Sequence, residues 1–566
     1  MAGSYDLRPG VHSVGQDTKE VMSAAKRLAA IGCVGLLTAT AACGSTSSGS
    51  KGGVNSTITL GTVSPYTSLD PAGAYDTGSW TVFYNVYQGL MTYLPGANTP
   101  SPDAAKSCKF TDSSYLTYTC TLLPDLKFSN GDPLDAAAVK FSFDRVIKIG
   151  EDKADNGSGV SVLLDTLKSV QTSGTQTVTF NLKTADATFP DRLASGVGGI
   201  VDPKVYSGTK LLDGTSVVGS GIYTIASATS KTGSDGKPAP ASLKLVPNPD
   251  YKGAYSTTKM LNAGATLNFY DTPAAVKSAL EDGSIDLNAG SDLAPADIVA
   301  LQGAQQLGKG IQIVQGTGSS IRMMVLNVDV APFTNQAVRQ AIAKLIDRQA
   351  IADKVYQNTV TPLYSVIPQG IGDQTRPFEQ SPYSTDPLKA DQVKASLSGV
   401  KLPIDFTLTY AANSAAGPAE AAQLKSTLEA SGIFKVTLKS VPNLGALIPL
   451  WSGGKLAASM TGWQADYPDP DDFVSPFLGK DNTFGNHYAP STIMNDLHPL
   501  SLKEADRADQ STANTFQQIQ KQFAEDAAYI PLWQDNQYIA TQSDITGVPL
   551  TLDIASIMRF WMIGKN

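Results

Sequence analysis

Between residues 402 and 441 the apolar positions change period twice. In PIDFTLTYA, Ile404, Phe406, Leu408 and Tyr410 alternate with polar neighbours, the period-two pattern of a strand with one buried face. Leu424 and Leu428 then recur four residues apart, and Gly432 supplies a helix stop. FKVTLKSV returns to alternation, setting Phe434, Val436 and Leu438 against Lys435, Thr437 and Lys439. Strand, helix and strand in that order predict a parallel pair with a right-handed crossover. Two further helices are predicted. FTNQAVRQAIAKLIDRQAI is capped near Asn335 and turns Val338, Ile342, Leu345 and Ile346 to one side. The other begins at Thr272 with Pro273 in its first turn, shows Val276 and Leu280, and ends at Gly283. The chain reads as mixed α/β with several domains.

A different pattern marks the start. Leu28 to Ala42 are fifteen apolar or small residues that follow Lys26 and Arg27 and precede Cys43. The run falls short of the ~20 residues a bilayer span needs and suits the apolar region of a secretory signal. With Ala41 and Ala42 before the cysteine, it resembles a bacterial lipoprotein signal, in which Cys43 becomes the lipid-carrying mature N-terminus. Thr40 departs from the leucine usual there. Asp6, Asp17 and Glu20 do not belong in such a leader, so Met22 is the expected start and residues 1–21 an upstream assignment. The alternative is a buried thiol after a core helix, which the polar tether Ser45 to Ser50 argues against.

Charge and cysteine usage agree with export. The formal charge of -8 would become -9 without residues 1–43, and 17% charged residues on an acidic chain argue against a nucleic-acid binder. Cys108 and Cys120 flank a hairpin pattern, with Thr111 to Ser114 as the turn and Tyr115, Thr117 and Thr119 alternating with Leu116 and Tyr118. They face each other for a bridge, which the extracellular side favours; two separate thiols are the alternative. Three histidines leave no room for a multi-histidine metal site, and no HExxH, P-loop or GxSxG is present. GTGSS at 316 lacks the third glycine of a dinucleotide loop. Asp469, Asp471 and Asp472 lack EF-hand spacing and are expected to cap a helix at DDFVSPFL. No catalytic constellation emerges.

SLDPAGAYD, YQGL, LKFSNGDPLDAAAVKFSFDRV, VVGSGIYTI and NPDYKG occur in that order, followed by ALEDGSIDL, LNVDVAPFTNQAVRQAIAKLIDRQAI, GWQADYPDPDDFVSPF and AYIPLWQ. This succession resembles the extracellular solute-binding proteins (family 5) of oligopeptide and dipeptide ABC importers, and the composition is similar to that of actinobacterial proteins. The resemblance implies a periplasmic-binding-protein type II fold, with two hinged lobes plus an extra domain (cluster C type). By analogy, lobe I comprises 44–88, 206–318 and 531–566, the extra domain 89–205, and lobe II 319–530. It also implies no enzymatic activity, no cofactor and no metal. The expected partners are a small peptide ligand, the ABC permease and ATPase subunits, and the membrane through the lipid anchor. The protein would be a monomer on the extracellular face of the cell membrane.

In peptide-binding members the aspartate of a GWxADYxxP motif receives the peptide's α-ammonium; here that is Asp466, flanked by Trp463 and Tyr467. Tyr75, Asp76, Thr77 and Gly78 would face the ligand's main chain from lobe I. Read without the resemblance, Asp466 is a turn residue before Pro468 and Trp463 a core aromatic. Some oligopeptide binders carry arginines a few residues before the tryptophan, where Ser459 and Met460 stand in this chain, so the handling of a ligand C-terminus is left open. An oligosaccharide ligand on the same fold, or a surface receptor without a transport role, are the alternative functions.

Overall fold

The computed structural model describes residues 56–566 apart from 152–158, 234–235, 291, 309, 414–415 and 508. Cys43 and the rest of the expected leader lie outside the described residues.

In chain order, β1 (Ile58–Thr62) is followed by β2 (Ala105–Phe110), β3 (Thr117–Leu122), β4 (Leu167–Ser173) and β5 (Thr177–Leu182). The last four pair antiparallel in the order β2-β3-β5-β4. Cys108 lies directly opposite Cys120 in this sheet and is bonded to it, with an S–S distance of 2.02 Å. Closing so short a loop restricts the unfolded chain and is worth about 3 kcal/mol in the chain-entropy account.

Ten further strands join β1 in one sheet. They are β6 (Tyr223–Thr232), β7 (Pro238–Pro247), β8 (Ala265–Phe269), β9 (Leu287–Asn288) and β10 (Gln312–Leu326). After them come β11 (Val360–Pro362), β12 (Ile404–Ala411), β13 (Phe434–Val441), β14 (Ala458–Trp463) and β15 (Tyr529–Thr541). The order is β13-β12-β14-β10-β15-β9-β1-β8-β7-β6, with β11 on β15. The strands at 404 and 434 pair in parallel, and Leu408 matches Leu438 in register. β14 lies on the other side of β12, also in parallel, so its carboxyl end carries Trp463.

The antiparallel pair β10 and β15 links the two halves of this sheet. Near Thr541 it adjoins β9; near Ile321 it adjoins β14, opposite Trp463. The ladder breaks between Thr317 and Ile321, where the pair passes from one half to the other. Each half buries its own apolar cluster. Ile58, Leu60, Leu245 and Leu267 belong to one; Met324, Leu408, Val436 and Met460 belong to the other.

The helix expected from Asn335 onwards is two helices. Asn335 does cap the first, accepting from Ala337 N at 2.9 Å. At Asp347 the carboxylate takes the Ala350 N–H at 2.8 Å and starts a new helix, so the chain bends between Leu345 and Arg348. DDFVSPFL also departs from expectation. It forms two short 3-10 turns, Pro470–Phe473 and Ser475–Phe477, with Asp469 alone as the cap, accepting from Asp471 N at 2.8 Å. Pro476, in the middle of the segment, lacks the backbone donor that a longer helix would need there.

Candidate functional site

A cavity of about 510 Å³ lies where the carboxyl end of β14 meets the start of α1 (Thr77–Val86). Tyr75, Asp76, Thr77, Trp463 and Asp466 line it. Tyr75 Oη donates to Asp466 Oδ2 at 2.5 Å, and Thr77 Oγ1 donates to Gln464 Oε1 at 3.0 Å. These two bonds tie residues almost 400 positions apart into one rim.

Asp76 is occupied locally. As N-cap of α1 it accepts from Ser79 N at 2.8 Å and Ser79 Oγ at 2.9 Å, and it also receives the Thr67 hydroxyl. Its carboxylate thus fixes the start of the helix that presents Thr77. Gly78 and Tyr467 do not line the cavity. Gly78 packs against the chain at Ser64 and Pro65, where an added Cβ would come within 2.5 Å of the Pro65 carbonyl. Tyr467 is buried behind the site with the Arg192 guanidinium 5.8 Å from its ring centre.

Trp463 has both a packing and a lining role. Its ring packs edge-on against Phe477 and Phe484, while its Nε1 donates to Asp472 Oδ2 at 3.2 Å. The same oxygen accepts the Asp466 N–H at 2.9 Å, which holds the Asp466 turn beneath the tryptophan. Asp472 is fully buried. Burial, and then the neighbouring Asp466 charge, hold its carboxyl well above the usual range.

Burial also raises Asp466, to about 7, against the lowering effects of the Tyr75 hydrogen bond and of the Arg192 charge. Arg192 cannot neutralise it, because its own contacts go to Asp186 at 3.1 Å and Asp165 at 3.2 Å. The cavity wall therefore presents the Asp466 carboxyl, with Asp472 buried behind it, and no cationic side chain among the described lining residues.

Most of the rest of the wall is apolar and was not singled out from sequence. It includes Trp80, Tyr84, Trp451, Phe484 and, from the helix α2 (Leu444–Ser452), Leu444 and Ile448. These last two are about half exposed, at 50% and 48%. LGALIPLW is apolar on nearly every position, and that excess over what one packed face needs was the available signal. Ser459 and Met460, by contrast, are buried in β14, where Ser459 Oγ accepts from Trp451 Nε1 at 3.1 Å.

The model of the bacterial extracellular solute-binding proteins, family 5 (middle), matches residues 99–485, more than half of the chain. The chain belongs to this family. Among related sequences, the probable D,D-dipeptide-binding periplasmic protein DdpA of Escherichia coli (strain K12) is 26% identical over 502 residues, spanning 87% of this chain and 90% of the relative. The heme-binding protein A of Haemophilus influenzae is 24% identical over 481 residues, 79% and 81% of the two chains. Among solved structures, the periplasmic binding protein DppA of Helicobacter pylori in complex with the peptide STSA superposes with a TM-score of 0.74 at 19% identity, covering 91% of this chain and 98% of that one. The fold of this family 5 protein is thus the type II periplasmic-binding-protein fold, and the family is one of solute-binding proteins rather than enzymes.

Proposed function

We propose that this family 5 protein captures short peptides by their free N-terminus and hands them to an ABC permease. The observation that carries the reading is the Asp466 carboxyl on the cavity wall, backed by the fully buried Asp472, with no lysine, arginine or histidine among the described lining residues to balance it. A buried carboxylate without a partner is costly, and an incoming α-ammonium removes that cost by pairing with it. Asp466 would be the direct partner, with Tyr75 and Asp472 orienting it. The apolar walls at Trp80, Leu444, Ile448 and Phe484 would take apolar side chains, and Thr77 with Gln464 offers groups to a main chain. No lysine, arginine or histidine lines the cavity among the described residues, so a ligand carboxylate would meet solvent or neutral donors such as Thr81, Thr483 and Ser556. The D,D-dipeptide named for the Escherichia coli relative has the same ammonium and a similarly small body, which supports the short-peptide reading.

Lobe I (44–88, 206–318, 531–566) and lobe II (319–530) would rock about β10 and β15, whose ladder breaks at Thr317 to Ile321. Residues 89–205 would form the extra domain, and lipid on Cys43 would hold the protein at the extracellular membrane face. Native mass spectrometry of protein from its host would identify the bound mass, and calorimetry would then compare that peptide with its N-acetylated form. The free peptide should bind and the acetylated one should not. Equal binding would overturn the ammonium reading.

A further inference from the structure

A second cavity, of about 290 Å³, lies elsewhere in the fold and shares no lining residue with the first. It is bounded by the segment after β9, by β15 and by the turn that leads into β11. Asp292 and Asp535 both line it. Asp292 is 3% exposed. Its Oδ1 accepts from Thr62 Oγ1 at 3.0 Å and Val63 N at 2.9 Å, but its Oδ2 is buried with no hydrogen-bond partner among the described residues. Asp535 Oδ1 accepts from Ser320 N at 2.9 Å. Among the described residues, no lysine, arginine or histidine lines the cavity.

Beside these carboxylates stand Tyr356 and Trp533, whose ring centres are 4.7 Å apart at an angle of 57°. The Trp533 Nε1 is already committed to Glu420 Oε1 at 2.7 Å, so the indole offers the cavity ring surface rather than a donor. Carboxylates with aromatic faces and no balancing cation are the chemistry that recognises an organic cation, through ion pairing and attraction to the ring quadrupole. Among the described residues no three His, Cys, Asp or Glu side chains come together to hold a metal ion. The volume is at the small end of ligand cavities.

We infer that this cavity is a second binding site, for a small aliphatic ammonium compound held between Asp292, Asp535 and the Tyr356–Trp533 pair. The site is independent of the peptide reading. Its occupant would touch both β15 and the turn before β11, beside the strand pair that links the two halves of the sheet.

Calorimetry with 1,4-diaminobutane and with tetramethylammonium, against the full protein, tests it. At least one probe should bind the wild type with one-to-one stoichiometry. Asp292→Asn keeps an oxygen for Thr62 and Val63 and removes the charge, so it should weaken that probe at least tenfold. Asp466→Asn should leave the probe's affinity within twofold. If Asp292→Asn shows no cooperative melting, Asp535→Asn carries the same tenfold expectation. Absence of binding by both probes at millimolar concentration overturns the site. So does equal binding by the wild type and the folded aspartate variant, or loss in Asp466→Asn instead, which would place the probe in the first cavity.

Discussion

Four aspartates within seven residues meet opposite fates. Asp469 and Asp471 are neutralised inside the protein. Arg507 grips Asp469 with two bonds, Nε to Oδ2 at 2.7 Å and Nη2 to Oδ1 at 3.0 Å. Burial pushes the Asp471 carboxyl up, but the His498 hydrogen bond and charge, with Arg507 and Arg192, outweigh it and bring it to about 2. Asp472 is buried just as firmly and Asp466 is half-buried in the same turn, yet among the described residues they receive only neutral donors, Tyr75, Trp463 and a backbone N–H. The first pair closes the structure. The second leaves a charge deficit at a cavity, and in our reading the ligand's ammonium fills it.

The comparison breaks most visibly if the closed pair is opened. Arg507→Met strands Asp469 without its cation, and removal of one partner of a buried pair costs ~3–5 kcal/mol. Urea unfolding should show that loss. A change below 1 kcal/mol would mean Asp469 is not held by Arg507. Next comes the open pair. Asp466→Asn should weaken a bound peptide by ~2–5 kcal/mol, read by calorimetry.

The same variant should not lose stability. A carboxyl raised in the folded state contributes stability that is complete below the unfolded pKa of ~3.9 and is lost as pH rises through the folded value. Ligand-free wild type should therefore lose stability between about pH 4 and 7 on account of Asp466, and Asp466→Asn should lack that part of the decline. Parallel unfolding curves across this range would contradict it. The smallest effect is at the rim. Thr77→Val removes the hydroxyl that meets Gln464, a net ~0.5–1.5 kcal/mol for one hydrogen bond. Peptide affinity should fall two- to tenfold without a change in unfolding midpoint, and an unaltered affinity would remove Thr77 from the site.

How much of this was legible beforehand varied with distance along the chain. The strand at 404, the helix after it and the strand at 434 were readable because alternation and a glycine stop are local signals. The break at Asp347 was not, since an aspartate inside an amphipathic pattern looks like a solvent-facing helical residue until its side chain is seen on Ala350 N. Asp466 could be named only through the GWxADYxxP motif. Its electrostatic state was out of reach, because which aspartates are neutralised depends on Arg507, 38 residues after Asp469, and on Tyr75, 391 residues before Asp466. Asp76 illustrates the same limit. Its place between Tyr75 and Thr77 was visible, but its commitment to Ser79 and Thr67 was not.

Proton release on binding tests the central claim most directly. With its carboxyl raised to about 7, Asp466 is largely protonated at pH 6 when the cavity is empty. An arriving ammonium stabilises the ionised form, so the proton must leave, and peptide affinity should rise by up to about tenfold per pH unit below 7. Above about pH 8 the peptide's own α-amino group, with an ordinary pKa of ~7.7–8.0, begins to lose its charge and affinity should fall again. Calorimetry of one peptide at pH 6 in two buffers of different ionisation enthalpy counts the protons. The account predicts close to one proton released per peptide by wild type and none by Asp466→Asn. No release by wild type, or the same release by both, would contradict it.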